Sequence, residues 1–129
     1  MSRPIIKGIA PCFIAKNVTA SMSFYRDLLG FDIMFAEPTD DPFFGIVNRD
    51  GAMIMLKSTE VDPVPNHTRD KFARWDAYVK VPDPDALAAE YLSRGVQFTK
   101  SLKDTHDGLR GFELQDADGY ILFLGRPRE

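Results

Sequence analysis

Asp76 is the residue best placed to do chemistry in this chain of 129 residues. It stands near the head of a segment, Trp75 to Val81, that reads as a β-strand. Alternation puts Asp76, Tyr78 and Lys80 on one face and Ala77, Val79 and Val81 on the other. A lone carboxylate among apolar groups is costly unless it is paired. Asp76 is therefore expected to anchor a cation or act as a general base, or else to pair with Lys80, Arg69, Arg74 or Arg110. His106, between Thr105 and Asp107 in a polar stretch, is the second candidate base, because imidazole changes charge near neutral pH. His67 reads as a solvated linker residue, and the lone Cys12 as a small hydrophobe. The chain has no Gly-rich phosphate loop, nucleophile elbow or Cys/His metal spacing.

The elements that must position these residues occur twice. Asn17 aligns with Asp83, Tyr25 with Tyr91, Gly30 with Gly95, and Asp50-Gly51 with Asp118-Gly119. Two long copies argue for two equal modules in one domain rather than a solenoid. In module one, residues 8–57, Gly8 to Ala15 reads as a strand and Val18 to Leu29 as a helix capped by Asn17 and stopped by Gly30. Strands at Phe31 to Ala36, Phe43 to Val47 and Ala52 to Leu56 follow, the last two joined by the hairpin signal Asp50-Gly51. Residues 58–74 read as a polar linker. In module two, residues 75–127, the order recurs: Trp75 to Val81, a helix from Pro84 to Arg94, Val96 to Thr99, a polar loop from Lys100 to Gly108, then Leu109 to Gln115 and Tyr120 to Gly125. The expected fold is α+β, two βαβββ modules forming a curved, mixed but mostly antiparallel sheet around a cleft. Ile9, Phe13 and Ala15 should pack on the helices. Ala10, Cys12, Ile14, Met53, Met55, Ile121 and Phe123 should line the helix-free face, an apolar surface that needs a ligand or a partner to cover it.

Composition narrows the function classes. A net charge of -3 without a basic cluster excludes an electrostatic footprint for nucleic acid or a polybasic membrane patch. No apolar stretch is long enough to cross a bilayer, and the run Gly8 to Ala15 is read as a buried strand rather than a signal-peptide core. A single cysteine precludes an internal disulfide and suits a reducing cytoplasm.

The fragments Phe24 to Phe31 (FYRDLLGF) and Gln115 to Phe123 (QDADGYILF), with the internal repeat, closely resemble the vicinal oxygen chelate superfamily of glyoxalases, bleomycin-resistance proteins and extradiol dioxygenases. The resemblance implies a U-shaped sheet with the site inside it. It places the metal-ligand positions of the family's enzymes at Ala10, Met55, Asp76 and Phe123. Three of these offer no oxygen or nitrogen, so no metal and no other cofactor is expected. The chain is closest in character to the metal-free bleomycin-resistance branch, whose members are homodimers.

The expected function is metal-independent binding, with possible sequestration, of a small organic molecule. The cleft would be lined by Cys12, Ile14, Met53, Met55, Asp76, Tyr78, Arg110 and Phe123. Aromatic or amphipathic cations are the expected ligands, with Asp76 supplying the charge. The alternatives are a cofactor-independent isomerase or lyase using Asp76 or His106 as base, and a metal-dependent family enzyme with the ligand positions shifted.

Overall fold

A computed structural model describes residues 2–129. Module one contains β1 (Cys12–Ile14), α1 (Val18–Asp27), β2 (Asp32–Glu37), β3 (Phe44–Arg49) and β4 (Ala52–Lys57). Module two contains β5 (Ala77–Lys80), α2 (Pro84–Ser93), β6 (Phe98–Asp104), β7 (Leu109–Gln115) and β8 (Ile121–Pro127). The sheet orders are β1-β4-β3-β2 and β5-β8-β7-β6, so the two modules share one topology. In each, the first strand runs parallel to the last and the other pairings are antiparallel. The fold is α+β, as expected.

Local chemistry starts and stops the helices. The side chain of Asn17 accepts from the Ala20 amide at 2.9 Å, and Asp83 accepts from Ala86 at 3.0 Å. Gly30, at φ 73°, ends the first helical segment, and a Cβ there would meet Nη1 of Arg49 at 2.8 Å.

The helix-packed faces of both modules merge into one core. Phe13, Val18, Met22, Tyr25 and Leu56 of module one are buried with Ala88, Tyr91, Phe112 and Leu122 of module two. Polar bonds cross the seam as well. Arg49 grips Glu90 through two bonds of 2.8 and 2.9 Å, and the Tyr91 hydroxyl donates to the Leu29 carbonyl at 2.9 Å. Phe13 stacks on Tyr120 at 4.3 Å, and the Tyr120 hydroxyl donates to the Ile14 carbonyl at 2.8 Å. With the shared core between the modules, both helix-free faces point away from it.

Three expectations need correction. The first strand is shorter than Gly8 to Ala15. Residues 8–11 carry no regular structure, and Ile9 is 90% exposed rather than packed on a helix. The stretch Lys100 to Asp104 is strand, not loop: it forms most of β6, an edge strand paired only with β7. Edge strands carry lysine and other polar groups readily, which gave the segment its loop-like composition. Trp75 and Asp76 precede β5, so strict alternation does not govern where their side chains go.

Candidate functional site

The helix-free faces of the two modules differ. Module one presents half-buried Ile14 and Met55, with Phe35 47% and Met53 41% exposed. Cys12 is exposed on the same strand as Ile14 and lies in register with Met55. This is an open apolar surface.

Module two covers part of its own face. Gly111 and Gly125 are register partners on β7 and β8. A Cβ on either would come within 2.7 Å of the Phe123 ring, so the ring lies over a floor of bare backbone. The Trp75 indole stacks on Phe123 with centroids 4.4 Å apart and planes 18° apart, and Tyr78 meets Phe123 edge-on at 5.7 Å. Phe123 and Ile121 are buried although neither belongs to the shared helix-side core. Strict alternation would put Trp75 on the opposite side of the sheet from Asp76. Its position outside β5 lets the chain fold Trp75 onto Phe123.

Asp76 is not an idle charge. One carboxylate oxygen accepts from the Asn66 amide at 2.9 Å and the other from the Ile121 amide at 2.8 Å. Its own amide donates to the Ile121 carbonyl at 2.9 Å. These bonds tie a 3-10 turn in the linker (Asn66–Thr68) to the start of β8. None of the basic partners weighed for Asp76 binds it. Arg69 donates to Asn66 Oδ1, Arg74 binds Glu113, and Arg110 binds Asp85 and Asp104.

Arg110 does not reach the site. It projects on the helix side of β7, where Nη2 meets Asp85 of α2 at 2.8 Å and Nη1 meets Asp104 at 3.1 Å. Those carboxylates push its pKa still further up. His106 is exposed in the turn between β6 and β7, at the Pro127 end of β8, whereas Asp76 binds the Ile121 end. Six residue steps of strand, about 20 Å by strand rise, separate those ends, so the two candidate bases are not brought together. His67 Nε2 donates to the Gly119 carbonyl at 2.9 Å, which ties the linker to the β7–β8 turn.

The group that sequence reasoning missed is Glu113. It pairs in register with Phe123 and is fully buried. Arg74 donates to it through Nε and Nη2 at 2.7–3.1 Å, and the Thr99 hydroxyl at 2.8 Å. Burial pushes the Glu113 carboxyl up, but the bonds from Arg74 and Thr99 outweigh burial and hold it below the usual range. The alternation Phe112/Leu114 inward already implied that Glu113 faces the helix-free side. Nothing in the linker's composition marked Arg74 as its partner.

The family's metal positions do not make a donor set. Met55 and Phe123 bring a thioether and a ring, Ala10 a methyl in an irregular segment, and both oxygens of Asp76 already hold backbone amides. Among the described residues no group of three or more His, Cys, Asp or Glu stands together. A separate concavity of about 400 Å³ opens between α1 and the start of β6, with Phe24, Leu28, Val96, Phe98, Gln115 and Asp116 in its walls. It lies off the aromatic face, and its one carboxylate is already held by the protein. No helix of the described residues is long and apolar enough to cross a membrane.

Comparison with known structures agrees with this architecture. The bleomycin-binding protein of Streptomyces verticillus, in complex with copper(II)-bleomycin, superposes with a TM-score of 0.70 at 24% identity, over 99% of this chain and 100% of that one. TioX from Micromonospora sp. ML1 gives 0.73 at 16% identity, covering 93% and 98%. A glyoxalase-related enzyme from Clostridium phytofermentans gives 0.72 at 16% identity, covering 96% and 97%. No curated protein matches the chain. The family model that matches does so over residues 8–123, nearly the whole of both modules, and the chain belongs to the Glyoxalase/Bleomycin resistance protein/Dioxygenase superfamily.

Proposed function

We propose that this chain binds a small organic molecule on the aromatic face of module two and leaves it chemically unchanged. The observation that carries this reading is the stack of Trp75 on Phe123, with Tyr78 at its edge and a glycine floor beneath. Rings held this way offer a flat apolar platform at low entropic cost. Reaction chemistry has less support: the carboxylate of Asp76 is occupied by amides, and His106 sits at the far end of the sheet. Binding proceeds without a metal in this reading, because Ala10, Met55 and Phe123 offer no oxygen or nitrogen and the carboxylate of Asp76 is held by backbone amides.

A second copy of the chain completes the site. The open face of module one, with Phe35, Met53 and Ile14, is too apolar to remain wet. In a homodimer it would roof the aromatic face of the partner's module two. The lone exposed Cys12 fits a reducing compartment such as the cytoplasm.

Trp75 is the only tryptophan in the chain, so its emission reports directly on the platform. Titration with a panel of fused-ring aromatic compounds and with bleomycin, the ligand of the Streptomyces verticillus protein, should give a saturable change. The Phe123→Leu and Tyr78→Ala variants should weaken it. A panel that leaves the emission unchanged at millimolar ligand would overturn the reading.

A further inference from the structure

The charge around the aromatic platform is predominantly basic. Lys80 pairs in register with Gly125, Lys100 with Glu113, and Lys103 with Gly111. Each of those partners belongs to the Phe123 side of the sheet, because a Cβ on Gly111 or Gly125 would strike the Phe123 ring and Glu113 lies opposite Phe123. Register partners share a face, so the three lysines, all exposed, rim the platform. Arg74 adds a fourth cation from the linker, next in sequence to the stacking Trp75. The two carboxylates nearby are both committed: Asp76 to backbone amides and Glu113 to Arg74 and Thr99.

Arg74 has the geometry of a receptor. Its partner Glu113 is 0% exposed while its own side chain is 35% exposed. A molecule approaching from solvent therefore meets the guanidinium before the carboxylate. Glu113 holds Nε and Nη2 from behind, and among the described residues no bond takes Nη1. A guanidinium fixed along one edge is preorganised to donate from the other. The whole chain carries a net charge of -3, so this basic rim is a local arrangement and not a consequence of bulk composition.

We infer that the aromatic face of module two selects anionic aromatic ligands, with the ring against the outer side of Trp75 and Tyr78, which Phe123 supports from beneath, and a carboxylate or similar oxyanion on Arg74 and the lysines Lys100 and Lys103. This rests on the proposed binding function and reverses the charge preference expected when Asp76 was taken as the anchor.

Three probes of one shape test it: naphthoate, naphthamide and naphthylmethylammonium, titrated by calorimetry at low and high salt. Naphthoate should bind about tenfold more tightly than naphthamide at low salt, and the ammonium more weakly than either. The preference should shrink at high salt. It should vanish in the double variant Lys100→Gln/Lys103→Gln and in Arg74→Met/Glu113→Gln, which removes the cation without stranding its carboxylate. If the second variant does not fold, the lysine pair decides. Equal affinity for the acid and the amide, preference for the ammonium, or a preference that survives the lysine substitutions overturns the inference and leaves the binding function standing. Failure of all three probes to bind overturns both.

Discussion

The hydroxyl of Tyr25 donates to the carboxylate of Asp116 across the seam between the modules, at 2.6 Å and fully out of water. The two residues lie in the two stretches that carry the family resemblance. The other oxygen of Asp116 accepts from the amides of Asp118 and Tyr120 at 2.9 and 3.0 Å, which shapes the β7–β8 turn. One carboxylate thus ties a helix of module one to a hairpin of module two.

Burial raises the Asp116 carboxyl to about 6, against the pull of these three donated bonds. A carboxyl whose pKa is higher folded than unfolded favours the folded state when protonated. Its stabilising contribution is complete below the unfolded value near 4 and is lost as pH rises through about 6. The loss should be on the order of 3 kcal/mol at most. Urea denaturation between pH 4 and 7 should show this fall, and Asp116→Asn, which resembles the protonated acid, should flatten it.

Removing Arg74 strands Glu113 as a buried, unpaired carboxylate. Arg74→Ala should cost about 2 kcal/mol, discounted from the fully buried case because the guanidinium is partly wet. Adding Glu113→Gln to it should recover part of that loss. Additive destabilisation in a double-mutant cycle would show that the two side chains do not support one another.

Gly125→Ala should destabilise by about 2–3 kcal/mol or more. The added methyl would approach the Phe123 ring at 2.7 Å and collide with the Arg110 carbonyl. It should also expose Trp75, seen as a red shift in its emission. Gly51→Ala, where nothing lies within 4 Å of the new methyl, is the matched control.

Asp76→Asn should act on stability and not on ligand charge. One amide oxygen still accepts, but the NH2 group faces a backbone donor, so the linker loses one of its ties to β8. A fall in midpoint equivalent to about 1–2 kcal/mol is expected, with the ranking of acid, amide and ammonium probes unchanged.

Most of the architecture was legible because each module states its order locally: Asn17 and Asp83 cap the helices, Gly30 and Gly95 stop them, and the Asp-Gly pairs join the last strands. β7 could be read residue for residue from Leu109 to Gln115. Lys100 to Asp104 misled because a polar edge strand and a polar loop have the same composition. The site was less legible for a different reason. Asp76 could be recognised as a carboxylate needing partners, but those partners are backbone amides of Asn66 and Ile121, which carry no side-chain signal. The partnership of Glu113 with Arg74, and the placement of Trp75 on Phe123, depend on the path of an irregular linker that no periodicity describes.

The most direct test of the account is the location of a bound aromatic probe. Titrating isotope-labelled protein with naphthamide and following the backbone amides and the Trp75 indole N–H by two-dimensional NMR gives that location. The account predicts that the largest saturable shifts fall on the Trp75 indole and on the amides of Trp75 and Tyr78, with smaller ones at Phe123 beneath them. Shifts centred instead on Phe24, Leu28, Val96 and Phe98, around the separate concavity beside α1, would contradict it.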